Sequence, residues 1–348
     1  MFPTDRLNDL QNLKMKKHHH SETLTPWQRL MKILHYERST INYIFIYAIL
    51  IGLIGLTLPL GTSAVFNLLS NGAMYSSTYI LIAVILIGIV FGGLLLIGQL
   101  SLVEVVEQKI FAKTALEFSF RLPLIKRKAL EGENPSELIN RFFDILTIQK
   151  GLTKLLVDIV AAAVQIFFSA ILLSFYHPFF IAFGILVILF VVIMVGLYFK
   201  PGVNTSIEES HYKYEVVAYL EEVAADLETY RQDAAKRAQV LERTDEITAN
   251  YLQARNSHFV ILKRFFASAI VIRTILMGGL LLLGSYFVVT RQMSFGQFVS
   301  AEVIIVQISY AIEKLMTNMN TVFDMATGAE KLAVVTDLEL EEEGHHHA

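Results

Sequence analysis

Glu302 lies in the run FVSAEVIIV, where every other residue is uncharged. A carboxylate at a helix centre costs about 2.5–3.5 kcal/mol to insert into lipid, so it must line a polar path, reach the nearby interface or bond to a neighbouring helix. Gln99 and Gln165 pose the same choice with neutral amides, between a cavity wall and a hydrogen bond between helices. These three are the candidate lining of a translocation path, whereas Arg273, near the end of its own apolar run, reads as a snorkelling cation. His18, His19, His20 and the closing HHHA offer imidazoles, but no carboxylate or fourth ligand stands at a spacing that would close a site. They read as solvated tails, and no metal or cofactor is assigned to the chain. With no cysteine, disulfides, thiolate ligands and cysteine nucleophiles are excluded. No G-x-x-x-x-G-K-[ST] phosphate cradle occurs either, so the chain is not expected to be an enzyme.

The medium that must position such groups follows from composition. Of 348 residues, 54% are apolar and only 18% charged, and the mean hydropathy is +0.51, the signature of an integral membrane protein. A net charge of −3 lacks the cation excess that phosphate binding needs, so no nucleic-acid partner is expected. Six runs are long and apolar enough to span a bilayer: about 41–60, 79–103, 157–176, 179–198, 265–290 and 298–315. No cleavable signal peptide is expected, because the first forty residues are polar.

Connections between runs alternate in charge. NGAMYSST and SFYHPF carry no Lys or Arg, and RQMSFGQ carries only Arg291. The N-terminal segment and the two long connections are rich in Lys and Arg, which puts them and both termini in the cytoplasm. Ahead of the first span, Thr25 as N-cap and Pro26 at the first helical position predict a short helix. Trp27, Leu30, Met31 and Leu34 fall on one face and Arg29 and Lys32 on another, which suits an interfacial helix or one packed on the protein.

Helical pattern does not stop at the membrane boundary. From Tyr79 it continues to Leu122, roughly 60 Å at 1.5 Å per residue and about twice the hydrocarbon thickness. A second helix returns after Pro135 and Ser136, giving a hairpin whose tip is LIKRKALEGEN. The fourth span likewise runs past Lys200 and Pro201 into a hairpin rich in helix formers, and the sixth runs on through EKLMTNMNTVFDMATGAEKLAVVTDL.

Two strings carry a family resemblance. FRLPLIKRKALEGENPSELINRFFDILTIQ resembles the first coupling region of ABC exporters that secrete toxins and bacteriocins, with Leu122, Pro123, Glu137, Leu138, Asn140, Arg141, Asp144 and Gln149 at matching places. GSYFVVTRQMSFGQFVSAEVII is similar to their hairpin between spans five and six, through Gly284, Ser294, Gly296 and Gln297. The likeness runs from about residue 25 to 340. It implies an all-α polytopic membrane protein with the fold of an ABC exporter transmembrane domain: six long transmembrane helices and two cytosolic helical hairpins. The implied division is a polar cytosolic tail (1–24), an interfacial elbow helix (25–38), a six-span domain (39–335) with hairpins near 104–156 and 199–264, and a linker (336–348) toward a nucleotide-binding domain.

The resemblance further implies coupling tips that dock on that ATPase domain, fused or separate, with ATP and Mg bound there. The second tip would reach across to the opposite half of a homodimer. Lys126, Arg127, Lys128 and Glu131 fall in the first tip, and Tyr219, Glu221, Glu222 and Asp226 in or near the second. Such exporters work in the cell (inner) membrane of the bacterium on peptide or toxin cargo, and some engage a periplasmic adaptor. Neither the LSGGQ signature nor an apolar strand ending in Asp-Glu is present, and without a cysteine the leader peptidase that some of them carry is not expected. Lipid or drug efflux, an ATP-independent transporter and a non-transporting scaffold stay open, although the broken helices and paired mid-membrane charges of secondary transporters do not stand out.

Overall fold

The computed structural model describes residues 24–69, 76–130 and 135–341. Glu131 and both histidine runs lie outside the described residues. Among the described residues the fold is all-α, with six helices long and apolar enough to cross a membrane. A short helix α1 (Pro26–His35) precedes them. They are α2 (Arg38–Leu69), α3 (Ser76–Leu124), α4 (Leu138–Ser174), α5 (Phe180–Ala225), α6 (Ala234–Val289) and α7 (Phe295–Thr336).

Local chemistry sets the ends and breaks of these rods. Thr25 and Gln28 form a reciprocal capping box at the start of α1, with Pro26 just inside. Ser294 and Gln297 do the same for α7, which gives two of the family-matching residues a structural reason. Asp233 caps α6 by accepting from the backbone N–H groups of Ala235 and Lys236. α2 breaks at Leu56 between two helical segments. Pro59 there has no N–H for the carbonyl of Gly55, so the ladder cannot run through unaltered. π-turns at Lys154–Ile159 and Leu280–Gly284 interrupt α4 and α6.

Regular helix covers 46 residues in α3, 46 in α5 and 42 in α7, so the rods are about 60–70 Å long. Roughly half of each must stand beyond a 30 Å hydrocarbon layer. Two buried cores hold them together. One joins α1, α3, α4 and α7 through Leu30, Val106, Ile110, Ile148 and Met325. The other joins α4, α5, α6 and α7 through Ile166, Phe180, Phe265, Ile304 and Phe323. Because α4 and α7 belong to both, they tie the two hairpins into one body.

Arg29 of α1 turns toward α7, to Glu330 at 3.0 Å and to Asp337 at the end of that helix. The charge pair and the burial of Leu30 and Leu34 make α1 a helix packed on the protein. Within the chain the second hairpin is braced against the first, with Asn140 of the first hairpin donating to Glu221 and Tyr214 donating to Asp144.

Candidate functional site

The exposed surface at membrane depth has two characters. On α3 the outward side chains include Ile80, Ile87, Val90, Phe91, Leu94 and Ile97, all apolar. On α7 the outward stripe runs Glu302, Val306, Tyr310, Glu313 and Thr317, at the spacing of one helix face. Tyr310 is 67% exposed. Arg273 of α6 joins the inner end of that stripe, 3.6 Å from Glu313. Ionisable groups at a helix centre cost about 2.5–3.5 kcal/mol to place in lipid, which sets the α7 stripe apart from the apolar face of α3.

Gln165 sits at the edge of this stripe. Its amide donates to Ser169 at 2.7 Å and to Gln307 of α7 at 3.2 Å, so it links α4 to α7 as a half-buried polar seam. Gln99 does not line a path in this structure. It is fully buried, and its amide donates to the carbonyl of Ile44 at 3.3 Å, joining α3 to α2. The physical reason is close approach: Gly98 beside it lies against the ring of Tyr47, which leaves no opening between the two helices. Of the three candidates, Glu302 alone is exposed and on the polar stripe.

At the end away from the hairpins, Ser300 of α7 donates to the carbonyl of Pro59 at 2.7 Å and accepts from the Tyr176 hydroxyl at 2.7 Å. Gly296 presses on α2 so closely that a Cβ would collide with Asn67 Oδ1 and the Ser63 carbonyl. These contacts hold α2, α4 and α7 together at that end.

At the opposite end the hairpins meet in a charged hub. Asp144 is buried at the start of a regular turn of α4 and accepts from the Tyr214 hydroxyl of α5. Lys213 and Lys331 stand 5.1 and 5.4 Å from the centre of the same Tyr214 ring, and Arg141 stands 5.6 Å from it. Burial raises the Asp144 carboxyl above its usual range, against the lowering pull of Tyr214, Lys213, Lys331 and Arg141. The hub therefore clamps α4, α5 and α7 through one carboxylate.

The tips themselves divide. Arg127 and Lys128 are exposed on a 3₁₀ turn, Arg127–Leu130. Lys126 is paired within the chain: its ammonium is 2.9 Å from Glu339, and Ile125 pairs with Leu340 in an isolated antiparallel bridge. The chain's own tail thus lies on the first tip. On the second, Glu222 and Asp226 are exposed, and Asp226 ends α5 with φ −128°. Tyr219 is half-buried, and Glu221 is held by Asn140 as a brace between hairpins rather than as an outward contact. Sequence reasoning missed Tyr214, whose partner lies 70 positions away. Asn140, Arg141 and Asp144 were visible only as matching motif residues.

Residues 41–312 match the family model described as the ABC transporter transmembrane region. No curated protein matches the chain.

Proposed function

Because the chain belongs to the ABC transporter transmembrane-region family, we propose that it forms half of an ATP-driven exporter, two copies enclosing a path lined by the α7 stripe. The observation that carries this reading is the contrast between the apolar outward face of α3 and the Glu302–Tyr310–Glu313 face of α7. In this reading the first face meets lipid and the second meets its symmetry mate. Both termini and the hairpins lie in the cytoplasm of the cell membrane, where Lys and Arg concentrate.

Association with a nucleotide-binding domain is a property of the family, and that domain would bring ATP and Mg. Arg127 and Lys128 on one tip and Glu222 and Asp226 on the other are the exposed charges that would meet it. ATP shifts a two-state bundle only by its differential affinity for the two states. The mechanical route is short: a tip displaced by the closing ATPase moves the α5 stem, Tyr214 carries that motion to Asp144, and the hub passes it to α7. One unbroken helix then runs from Lys331 to Glu302. Peptide cargo fits the likeness of the coupling strings to toxin and bacteriocin exporters.

A single cysteine in place of Tyr310 tests the dimer, since the natural chain has none. A short bifunctional maleimide should convert Tyr310→Cys in membranes to a dimer on a denaturing gel, while Ile87→Cys, on the α3 face, should stay monomeric. The opposite pattern would refute the shared α7 face.

A further inference from the structure

We propose that His258 is a proton-binding site whose occupancy sets the bend of α5 at Pro201. His258 is buried on α6 below the membrane-spanning segment. Its Nε2 is 3.0 Å from Asn320 Oδ1 and its Nδ1 is 2.8 Å from Thr205 Oγ1. Asn320 in turn donates through Nδ2 to Asp324 Oδ2 at 3.0 Å.

The hydrogen-bond directions around the ring are constrained. Only the amide nitrogen of Asn320 can face the Asp324 carboxylate, which leaves its oxygen, a pure acceptor, on His258 Nε2. That nitrogen carries a proton in both charge states. The second proton is therefore decided at Nδ1, and there the partner can serve either way. Thr205 Oγ1 is also 3.0 Å from the Pro201 carbonyl and 3.1 Å from that of Gly202. In the neutral ring Thr205 must donate to Nδ1 and release those carbonyls. In the imidazolium Nδ1 donates to Thr205, whose own proton returns to the carbonyl of Pro201 or Gly202. Both states leave every polar atom of the ring bonded, so neither pays the cost of an unsatisfied buried group.

Placement turns this into a mechanical switch. Pro201 sits inside α5, where it withholds one N–H from the helical ladder. A Thr hydroxyl bonded to the carbonyl four residues back bends a helix further. Protonation of His258 thus adds a bending bond at the turn of α5 that lacks the Pro201 N–H. Thr205 is half-exposed and gives the proton a route from water.

The charged groups facing the site favour a charge-sensitive balance. They are Asp324 on α7, Glu209 on α5, and Arg255 on α6, which is 2.8 Å from Glu209. Burial raises the Asp324 carboxyl, His258 lowers it and Glu209 raises it, with Ser206 and Arg255 lowering it further. The ring also stacks edge-on to Phe323, which contacts Phe199, which contacts Trp27 of α1. Trp27 is the one tryptophan of the chain and is therefore an internal reporter of how α5 and α7 pack at this level.

The test is Trp27 fluorescence of the purified full chain in nanodiscs, titrated between about pH 5 and 8, where imidazoles change charge. The wild type should show a single-proton transition, retained by His35→Gln and Thr205→Ser and lost in His258→Gln and Thr205→Val. A flat wild-type curve, or an unchanged transition in His258→Gln, would overturn the proposal. If His258→Gln does not fold, the Thr205 pair decides: equal transitions in Thr205→Ser and Thr205→Val would refute the hydroxyl switch.

Discussion

Replacing Gly202 by alanine should destabilise the protein when Phe323 is present and stabilise it when Phe323 is absent. A Cβ on Gly202 would lie within 3.0 Å of three ring carbons of Phe323. That ring is fully buried and walled by Phe199, Phe265 and His258, so it cannot swing away. Overpacking of this kind costs about 1–3 kcal/mol, and the rigid wall places it in the upper half of that range. Against it stands the helix propensity of Ala over Gly, about 1 kcal/mol. The net loss is then about 1–2 kcal/mol, or about 1.5–3 °C in Tm for a chain of 348 residues. Phe323→Ala alone should cost about 3–5 kcal/mol. In that background only the propensity gain remains, so adding Gly202→Ala should raise Tm. The assay is a double-mutant cycle of thermal unfolding in detergent, read by circular dichroism and by survival on size exclusion. Additive effects, with a coupling under about 0.5 kcal/mol, would refute the claim that α5 and α7 touch backbone to ring at this point.

Asp144 has a raised folded-state pKa, so its linked stability is fully present below the unfolded value and is lost as pH rises through the folded one. Acidifying from neutral should therefore raise the hairpin melting midpoint, and Asp144→Asn should flatten that slope in melts across pH. Gln99 offers a buried amide oxygen that finds no partner among the described residues, so Gln99→Leu should melt at or above the wild-type temperature; a loss above about 1 kcal/mol would mean that its bond to Ile44 is worth more than its burial costs. Charge reversal at Arg127 and Glu222 should lower the ATPase activity that copurifies with the chain, measured by phosphate release at equal recovery, whereas reversal at Lys126 and Glu339 together should preserve it because that pair can re-form.

Much of the fold is legible in residue order because lipid imposes a length rule: six apolar runs, and charged connections on one side, fix the spans without any knowledge of packing. The capping residue Thr25 is equally readable, since it acts on a neighbour three positions away, whereas Ser294 stands out only as a family-matching residue. Pairings across the fold are not. Tyr214 with Asp144, and His258 with Thr205 and Asn320, join residues dozens of positions apart, and each looks in sequence like an ordinary polar residue on a long amphipathic rod. Gln99 shows the same limit from the other side. A lone amide in an apolar run reads identically whether it faces a cavity or a backbone carbonyl, and only the close approach of α2 decides it. The tail laid on the first tip through Ile125 and Leu340 left no periodic trace at all.

The account rests on the α7 stripe facing water rather than lipid. Single cysteines at Glu302, Tyr310 and Ile87, each in the cysteine-free chain, can be exposed in native membranes to a membrane-impermeant maleimide with the labelling rate measured. Fast labelling at 302 and 310 with almost none at 87 is the predicted result; equal protection of all three positions would contradict it.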